Sequence, residues 1–340
     1  MNLPVANDFA PPRLLRNGHL QSMLSSSPLR RRLNRYCAAQ LEHAAREEIL
    51  PLPGGVRLQA FFSAQSQRTV RRGQVLLLHG WEGSARSNYL LGTGARLLAD
   101  GFDVVRLNFR DHGDTHHLNR ELFHSCRLQE VAEATRGVLS RPGPGLRALA
   151  GYSLGGNFAL RLARIAAEAN LPLDYVVAVC PVIDPAHGLA KLEQAPRIYH
   201  AYFMRKWRES LRRKQKVFPD AHRLDGKVRH ANMRELTRLL VERYTDFGSL
   251  EAYLDGYSIA GQRLLGIRLP VSILAARDDP VIPVSDFLDL CLPPQAELDI
   301  AKFGGHCGFF RSLTKAGSFA EDYISARMIA RSERIVVTAT

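Results

Sequence analysis

Gly151-Tyr152-Ser153-Leu154-Gly155 constrains this chain more than any other stretch. The run before it, Leu146-Arg147-Ala148-Leu149-Ala150, reads as a short buried strand. The run after it, Gly156 to Glu168, is rich in helix formers. A strand, a sharp turn and a helix in that order put a serine at the tip of a strained turn, a nucleophile elbow. Small residues are needed on either side because a Cβ there would strike the strand or the helix.

A serine hydroxyl is a poor nucleophile at neutral pH. It needs an imidazole to take its proton, and the imidazole needs a buried carboxylate to hold its tautomer. Both groups follow downstream. Arg277-Asp278-Asp279-Pro280-Val281-Ile282-Pro283 is an acidic turn after a strand end, and Gly304-Gly305-His306-Cys307-Gly308 sets a histidine in a glycine-rich loop. Asp279 is the expected acid, because an apolar pair and a proline follow it. Asp278 is expected to brace the turn. Asp184, after the sixth strand, stays open as a rival. Upstream, Gln74 to Leu78 reads as a buried strand running into His79-Gly80-Trp81-Glu82-Gly83. That loop is the expected source of one oxyanion donor, the Trp81 N–H, with the Leu154 N–H as the other.

Taken together, these stretches resemble the YheT-like branch of the α/β-hydrolases. The resemblance rests on His79-Gly80-Trp81-Glu82-Gly83-Ser84 with Ser87 and Tyr89, on Asn108-Phe109-Arg110 with His112-Gly113, and on Phe123-His124-Ser125. It extends to the elbow with Gly156-Asn157, to Ala275–Pro280, and to Gly304 through Phe309. The elbow and the histidine loop are shared by many hydrolases, whereas His124-Ser125 is more specific to the branch. The resemblance implies an α/β-hydrolase fold: a mostly parallel central sheet, helices on both faces, and a helical cap inserted after strand six. It also implies carboxylesterase or lipase-like activity, with a small-molecule acyl ester as substrate.

The expected chemistry is a serine hydrolase that cleaves carboxylic esters through an acyl-enzyme, with Ser153, His306 and Asp279 as its triad. An acyltransferase would pass the same acyl group to an alcohol. A binding protein on a hydrolase scaffold would do no chemistry. No cofactor and no metal is expected. His112, His116, His117 and His124 with Asp111 and Asp114 match no familiar ligand spacing, and a loop over the pocket is the better reading.

Composition fits one globular enzyme. The 340 residues are 46% hydrophobic, enough for a large core. The cysteines number five, at 37, 126, 180, 291 and 307, an odd count without close pairs. That argues against a disulfide framework and against a Cys-x-x-Cys metal site. Cys180 reads as core, and Cys307 is a poor rival nucleophile because Ser153 holds the elbow. The N-terminus has no basic start followed by an apolar run, and no stretch approaches eighteen apolar residues. No signal peptide or spanning helix is expected, and the cytoplasm is the expected location.

The net charge of +13 is uneven. Arg30-Arg31-Arg32 forms one basic cluster, and Arg205-Lys206-Trp207-Arg208 with Arg212-Arg213-Lys214-Gln215-Lys216 forms another. A solvated helix face with partners such as Glu209 is the plain reading. Weak contact with an anionic membrane surface is the alternative, and nucleic acid is not expected as a partner.

Along the chain, residues 1–45 read as an irregular, partly helical segment. Residues 46–185 and 265–333 read as the hydrolase core and 186–264 as the helical cap. Strands are expected at Glu47–Leu52, Val56–Ser63, Val75–Leu78, Val104–Asn108, Tyr175–Cys180, Pro270–Ala275 and Glu297–Ile300. Helices are expected at Tyr89–Ala99, Glu130–Leu139 and Phe319–Arg331. The aromatics Tyr199, Tyr202, Phe203, Trp207, Tyr244 and Tyr253 are expected chiefly to form the cap's own core, with some of them lining an acyl pocket.

Overall fold

Strands buried on both faces need apolar residues at every position, and the central strands of this chain have them. The computed structural model describes residues 3–65, 71–222 and 225–338. Residues 66–70, inside the span read as core, and 223–224, inside that read as cap, lie outside the described part. Two N-terminal helices, α1 (Gly18–Ser25) and α2 (Pro28–His43), precede β1 (Ala45–Pro51), β2 (Arg57–Ser63) and β3 (Gly73–Leu78). Then come α3 (Asn88–Ala99), β4 (Phe102–Asn108), α4 (Leu128–Leu139), β5 (Leu146–Tyr152), α5 (Leu154–Ile165) and β6 (Tyr175–Val179). Five helices follow: α6 (Pro185–Gln194), α7 (Arg197–Val217), α8 (Gly226–His230), α9 (Met233–Tyr244) and α10 (Leu250–Gly256). The chain closes with β7 (Val271–Ala276), α11 (Val284–Leu288), β8 (Ala296–Ala301) and α12 (Phe319–Thr338).

The eight strands form one sheet in the order β1-β2-β4-β3-β5-β6-β7-β8. β1 and β2 are antiparallel to their neighbours, and β4 through β8 run parallel. Successive residues of β3 serve opposite faces, as a pleated strand requires. Leu76 and Leu78 pack with Val131 of α4 and Phe158 of α5. Val75 and Leu77 pack with Leu41 of α2, Leu90 of α3 and Ile324 of α12.

The expected elements are present, and several bounds shift. The helix expected from Glu130 begins at Leu128, and the last helix runs beyond Arg331 to Thr338. The elbow helix begins at Leu154 rather than Gly156 and stops at Ile165. The strand expected to include Cys180 stops at Val179, because Cys180 turns into the left-handed region at φ 44°. The segment read as irregular and partly helical contains two regular α-helices, α1 and α2. Ser27 caps α2 by accepting from the Arg30 N–H at 3.1 Å. α1 packs against both site loops: a Cβ on Gly18 would overlap the Asp278 carbonyl of the acid turn, and one on Gly305 of the histidine loop would overlap the Gly18 carbonyl.

Candidate active site

Ser153 sits between β5 and α5 with φ 54° and ψ −117°, a conformation that costs a non-glycine residue about 1–3 kcal/mol. Packing enforces it. A Cβ on Gly151 would overlap the Gly155 carbonyl, and one on Gly155 would overlap the Leu78 carbonyl at the end of β3. The two glycines therefore let the turn close against both of its neighbours.

Ser153 Oγ lies 2.9 Å from His306 Nε2, and His306 Nδ1 lies 2.9 Å from Asp279 Oδ2. Asp279 is 2% exposed. Its other oxygen accepts from the N–H groups of Val281 (2.7 Å) and Ile282 (3.0 Å). Burial alone would raise this carboxyl. The His306 charge and hydrogen bond, helped by the two N–H donors, outweigh burial and hold it below the usual value. His306 is shifted the other way. Burial works to lower it, but the Asp279 carboxylate and the Cys307 sulfur pull it well above 6.5. Lys191 of α6 donates to the Asp279 carbonyl at 2.8 Å and so steadies the acid turn from the cap side.

The two rival acids have other partners. Asp278, expected to brace its own turn, accepts on Oδ1 from the Gly305 N–H at 2.9 Å and so ties the acid turn to the histidine loop. Asp184 is the N-cap of α6 and accepts from Ala186 at 2.8 Å and His187 at 3.2 Å. Neither has a described bond to His306.

The loop after β3 runs beside the serine: a Cβ on Gly80 would stand 3.2 Å from Ser153 Cβ. Two histidines hold this loop in shape, a role that their spacing did not reveal. His79 Nδ1 donates to Gly80 O at 2.7 Å, and its Nε2 accepts from the Phe109 N–H at 3.2 Å. His112 Nδ1 donates to Arg110 O at 2.8 Å, and its Nε2 accepts from the Glu82 N–H at 3.2 Å. Both rings need a free lone pair on Nε2, and burial keeps both neutral, pushing His112 down to about 4. Tyr89 accepts from the Gly80 N–H at 3.0 Å. The Trp81 ring itself stacks on Phe203, with centroids 5.5 Å apart, and meets the edge of Trp207.

A cavity of about 440 Å³ opens over Ser153 and His306. Residues of α6, α7, α9 and α10 form its far wall. All six aromatics expected chiefly as cap core line this cavity: Tyr199, Tyr202, Phe203, Trp207, Tyr244 and Tyr253. Tyr199 and Tyr253 are at the same time buried core residues, and Phe203 and Trp207 pack against that core, so four of the six rings serve both the core and the cavity wall. The N-terminal segment adds Ser22, whose hydroxyl accepts from the His306 N–H at 2.7 Å. Nothing in the local sequence announces that contact, since it joins residues at opposite ends of the chain.

The basic clusters are only partly solvated. Arg212 and Arg213 are exposed and pair loosely with Glu209 at 3.5 and 3.3 Å. Lys214, expected beside them on the same face, is 1% exposed. Its Nζ donates to Asp111 Oδ1 at 2.6 Å and to Asn119 O at 2.6 Å, pinning α7 to the loop after β4. Arg30 is likewise buried, 2.6 Å from Glu321. Helical periodicity explains both cases, because one residue in each basic run turns inward. Lys214→Met should therefore destabilise the protein by about 3–5 kcal/mol, since it strands the Asp111 carboxylate in a buried site. Arg212→Ala should cost less than about 1 kcal/mol. Urea denaturation of the two variants checks this, and equal effects would contradict the buried pair.

The sheet order, the elbow between β5 and α5 and the helices inserted between β6 and β7 define a class of protein. A sequence profile of the α/β hydrolase fold matches residues 73–312, well over half of the chain, and the chain belongs to that family. Among its relatives is the Escherichia coli (strain K12) protein named "Putative esterase YheT". The two are 28% identical over 314 residues, covering 89% of this chain and 87% of the relative, so this is a YheT-like α/β-hydrolase. Solved structures share the fold at lower identity. The Pyrococcus furiosus esterase Pf2001 superposes with a TM-score of 0.51 at 15% identity, covering 84% of this chain and 92% of its own. The α/β hydrolase GrgF from Penicillium sp. sh18 does so at 0.55 and 16% identity, covering 85% and 98%. Among the described residues, no helix is long and apolar enough to cross a membrane.

Proposed function

We propose that this protein is a serine ester hydrolase acting on small-molecule acyl esters. The observation that carries the reading is the hydrogen-bonded chain Ser153–His306–Asp279 at the wall of a cavity lined by aromatic side chains. The esterase name of the Escherichia coli relative agrees with it. Ser153 Oγ attacks the ester carbonyl carbon while His306 Nε2 takes the hydroxyl proton. Asp279 keeps the remaining imidazole proton on Nδ1 and stabilises the cation that forms. The carbonyl oxygen, now negative, is held by the backbone N–H groups of Leu154 and Trp81. Removal of one such donor typically costs roughly 3–4 kcal/mol of barrier lowering. Collapse expels the alcohol, which takes its proton from His306, and leaves an acyl group on Ser153. Water, deprotonated by the same imidazole, then releases the acid.

The apolar cavity suits an acyl chain better than a charged one. The exposed Arg212 and Arg213 on α7 are the groups through which an anionic membrane surface would be met. A panel of acyl esters of increasing chain length, quenched during turnover, tests the reading. A mass increase of one acyl group on the peptide containing Ser153 is the expected result. Turnover should rise with pH as His306 loses its proton, with a midpoint above the usual 6.5, because the raised shift keeps the base protonated longer. An acyl group recovered on an added alcohol instead of as free acid would make the enzyme a transferase. No adduct with any ester would remove the hydrolase reading.

A further inference from the structure

Two cysteines far apart in the chain meet behind His306. Cys180 is the first residue after β6, and Cys307 follows the histidine. Both are buried, at 0% and 6% exposure, and both hold left-handed backbone, with φ of 44° and 62°. Side chains other than glycine, asparagine and aspartate seldom adopt that region. Each sulfur reaches the other's segment: Cys180 Sγ lies 3.7 Å from Gly305 O, and Cys307 Sγ lies 3.9 Å from Val179 O. The two sulfurs and a ring nitrogen of His306 all fall within 4.8 Å of one another.

We propose that Cys180, Cys307 and His306 form a site for a soft divalent cation such as Zn²⁺, and that its occupation switches off the Ser153 centre. The second half rests on the serine mechanism proposed above. Zinc bonds of about 2.3 Å to sulfur and about 2.0 Å to nitrogen, arranged tetrahedrally, set ligand atoms roughly 3.5–3.8 Å apart. The three ligands therefore need to close by at most about 1.3 Å. Binding replaces the two thiol protons, which leave to solvent, and uses one lone pair of the imidazole. His306 and Cys307 line the cavity, so a water or a substrate oxygen can complete the fourth position. Two thiolates and an imidazole favour Zn²⁺ over Mg²⁺ or Ca²⁺.

The conflict with catalysis follows from the geometry. His306 already uses both ring nitrogens, Nδ1 toward Asp279 and Nε2 toward Ser153. A metal on Nε2 removes the base from the serine, and a metal on Nδ1 removes the acid from the base. Cys180 has no described bond to a triad residue, so changing it leaves the proton path in place. Cys307 acts on His306, so its variant is judged by its Zn²⁺ response relative to its own metal-free turnover and not by basal activity.

The test titrates Zn²⁺ into ester turnover of the parent, Cys180→Ala and Cys307→Ala in the presence of a non-chelating phosphine reductant. Mg²⁺ serves as the control cation. Zn²⁺ should inhibit the parent, EDTA should reverse it, and Mg²⁺ should have no effect. Each alanine variant should raise the half-inhibiting Zn²⁺ concentration at least about tenfold, since losing even a supporting partner of a metal ligand costs 10–100-fold. Cys180→Ser and Cys307→Ser keep the residue size and replace any alanine variant that fails to fold. In parallel, Co²⁺ should give a thiolate-to-metal charge-transfer band in the parent that both variants lack. Equal Zn²⁺ inhibition with and without the cysteines, or no Co²⁺ band in the parent, overturns the site. The band needs no turnover. A band without ester hydrolysis keeps the metal site and removes the esterase reading, and hydrolysis without a band does the reverse.

Discussion

Ser153→Ala should lower ester turnover by on the order of 10⁶-fold, the loss expected when the nucleophile of a serine triad is removed alone. The residual rate should still exceed the uncatalysed one if, as proposed, the backbone N–H groups of Leu154 and Trp81 hold the oxyanion, because the substitution leaves them and the cavity in place. Stability should change little. The hydroxyl is small, its described side-chain partner is His306, and alanine tolerates φ 54° about as well as serine does. A serine-directed phosphonate should label the parent at residue 153 and leave the variant unlabelled. Labelling that persists at another residue, or turnover within tenfold of the parent, would show that the elbow does not supply the nucleophile.

Asp279→Asn should cost roughly 10⁴-fold in kcat. The reason lies in what surrounds each carboxyl oxygen. Oδ1 accepts from Val281 and Ile282 N–H groups, so an asparagine would keep its carbonyl oxygen there. Its NH₂ would then face His306 Nδ1 and force the ring proton onto Nε2. That nitrogen could no longer accept the proton of Ser153. Asp278→Asn should cost far less, because this residue acts on the Gly305 N–H and not on the imidazole. Asp184→Ala should cost about 1 kcal/mol of helix capping and leave kcat near the parent value. If kcat collapses in the Asp278 or Asp184 variant and survives in Asp279→Asn, the acid has been placed on the wrong carboxylate.

The sequence was most legible where chemistry and local backbone make the same demand. The elbow is such a place. A strained serine needs glycines two residues away on each side, a strand before and a helix after, and all of these are consecutive in the chain. The apolar runs expected as strands and the helical runs between them agree with the mostly parallel sheet covered on both faces that the family resemblance implies. The triad candidates Ser153, Asp279 and His306 were readable because each sits at a strand end within a recognisable turn. The apolar pair and proline after Asp279 favoured it as the acid, but the sequence left Asp184 open as a rival. The choice needed the positions of side chains around one imidazole, which only packing decides.

Tertiary structure alone decided the rest. Lys214 belongs to a basic run, yet the turn of α7 points it at Asp111. Ser22 and Gly18 lie in a segment without a chemical motif, yet α1 is seated on the histidine loop. Cys180 and Cys307 carry no pairing signal in their spacing, and they meet because β6 and the loop after β8 end at the same edge of the sheet. Local sequence determines elements whose cause is local: a turn, a periodicity, a cap. Contacts between distant segments depend on how the whole sheet is ordered, and no short stretch of chain contains that information.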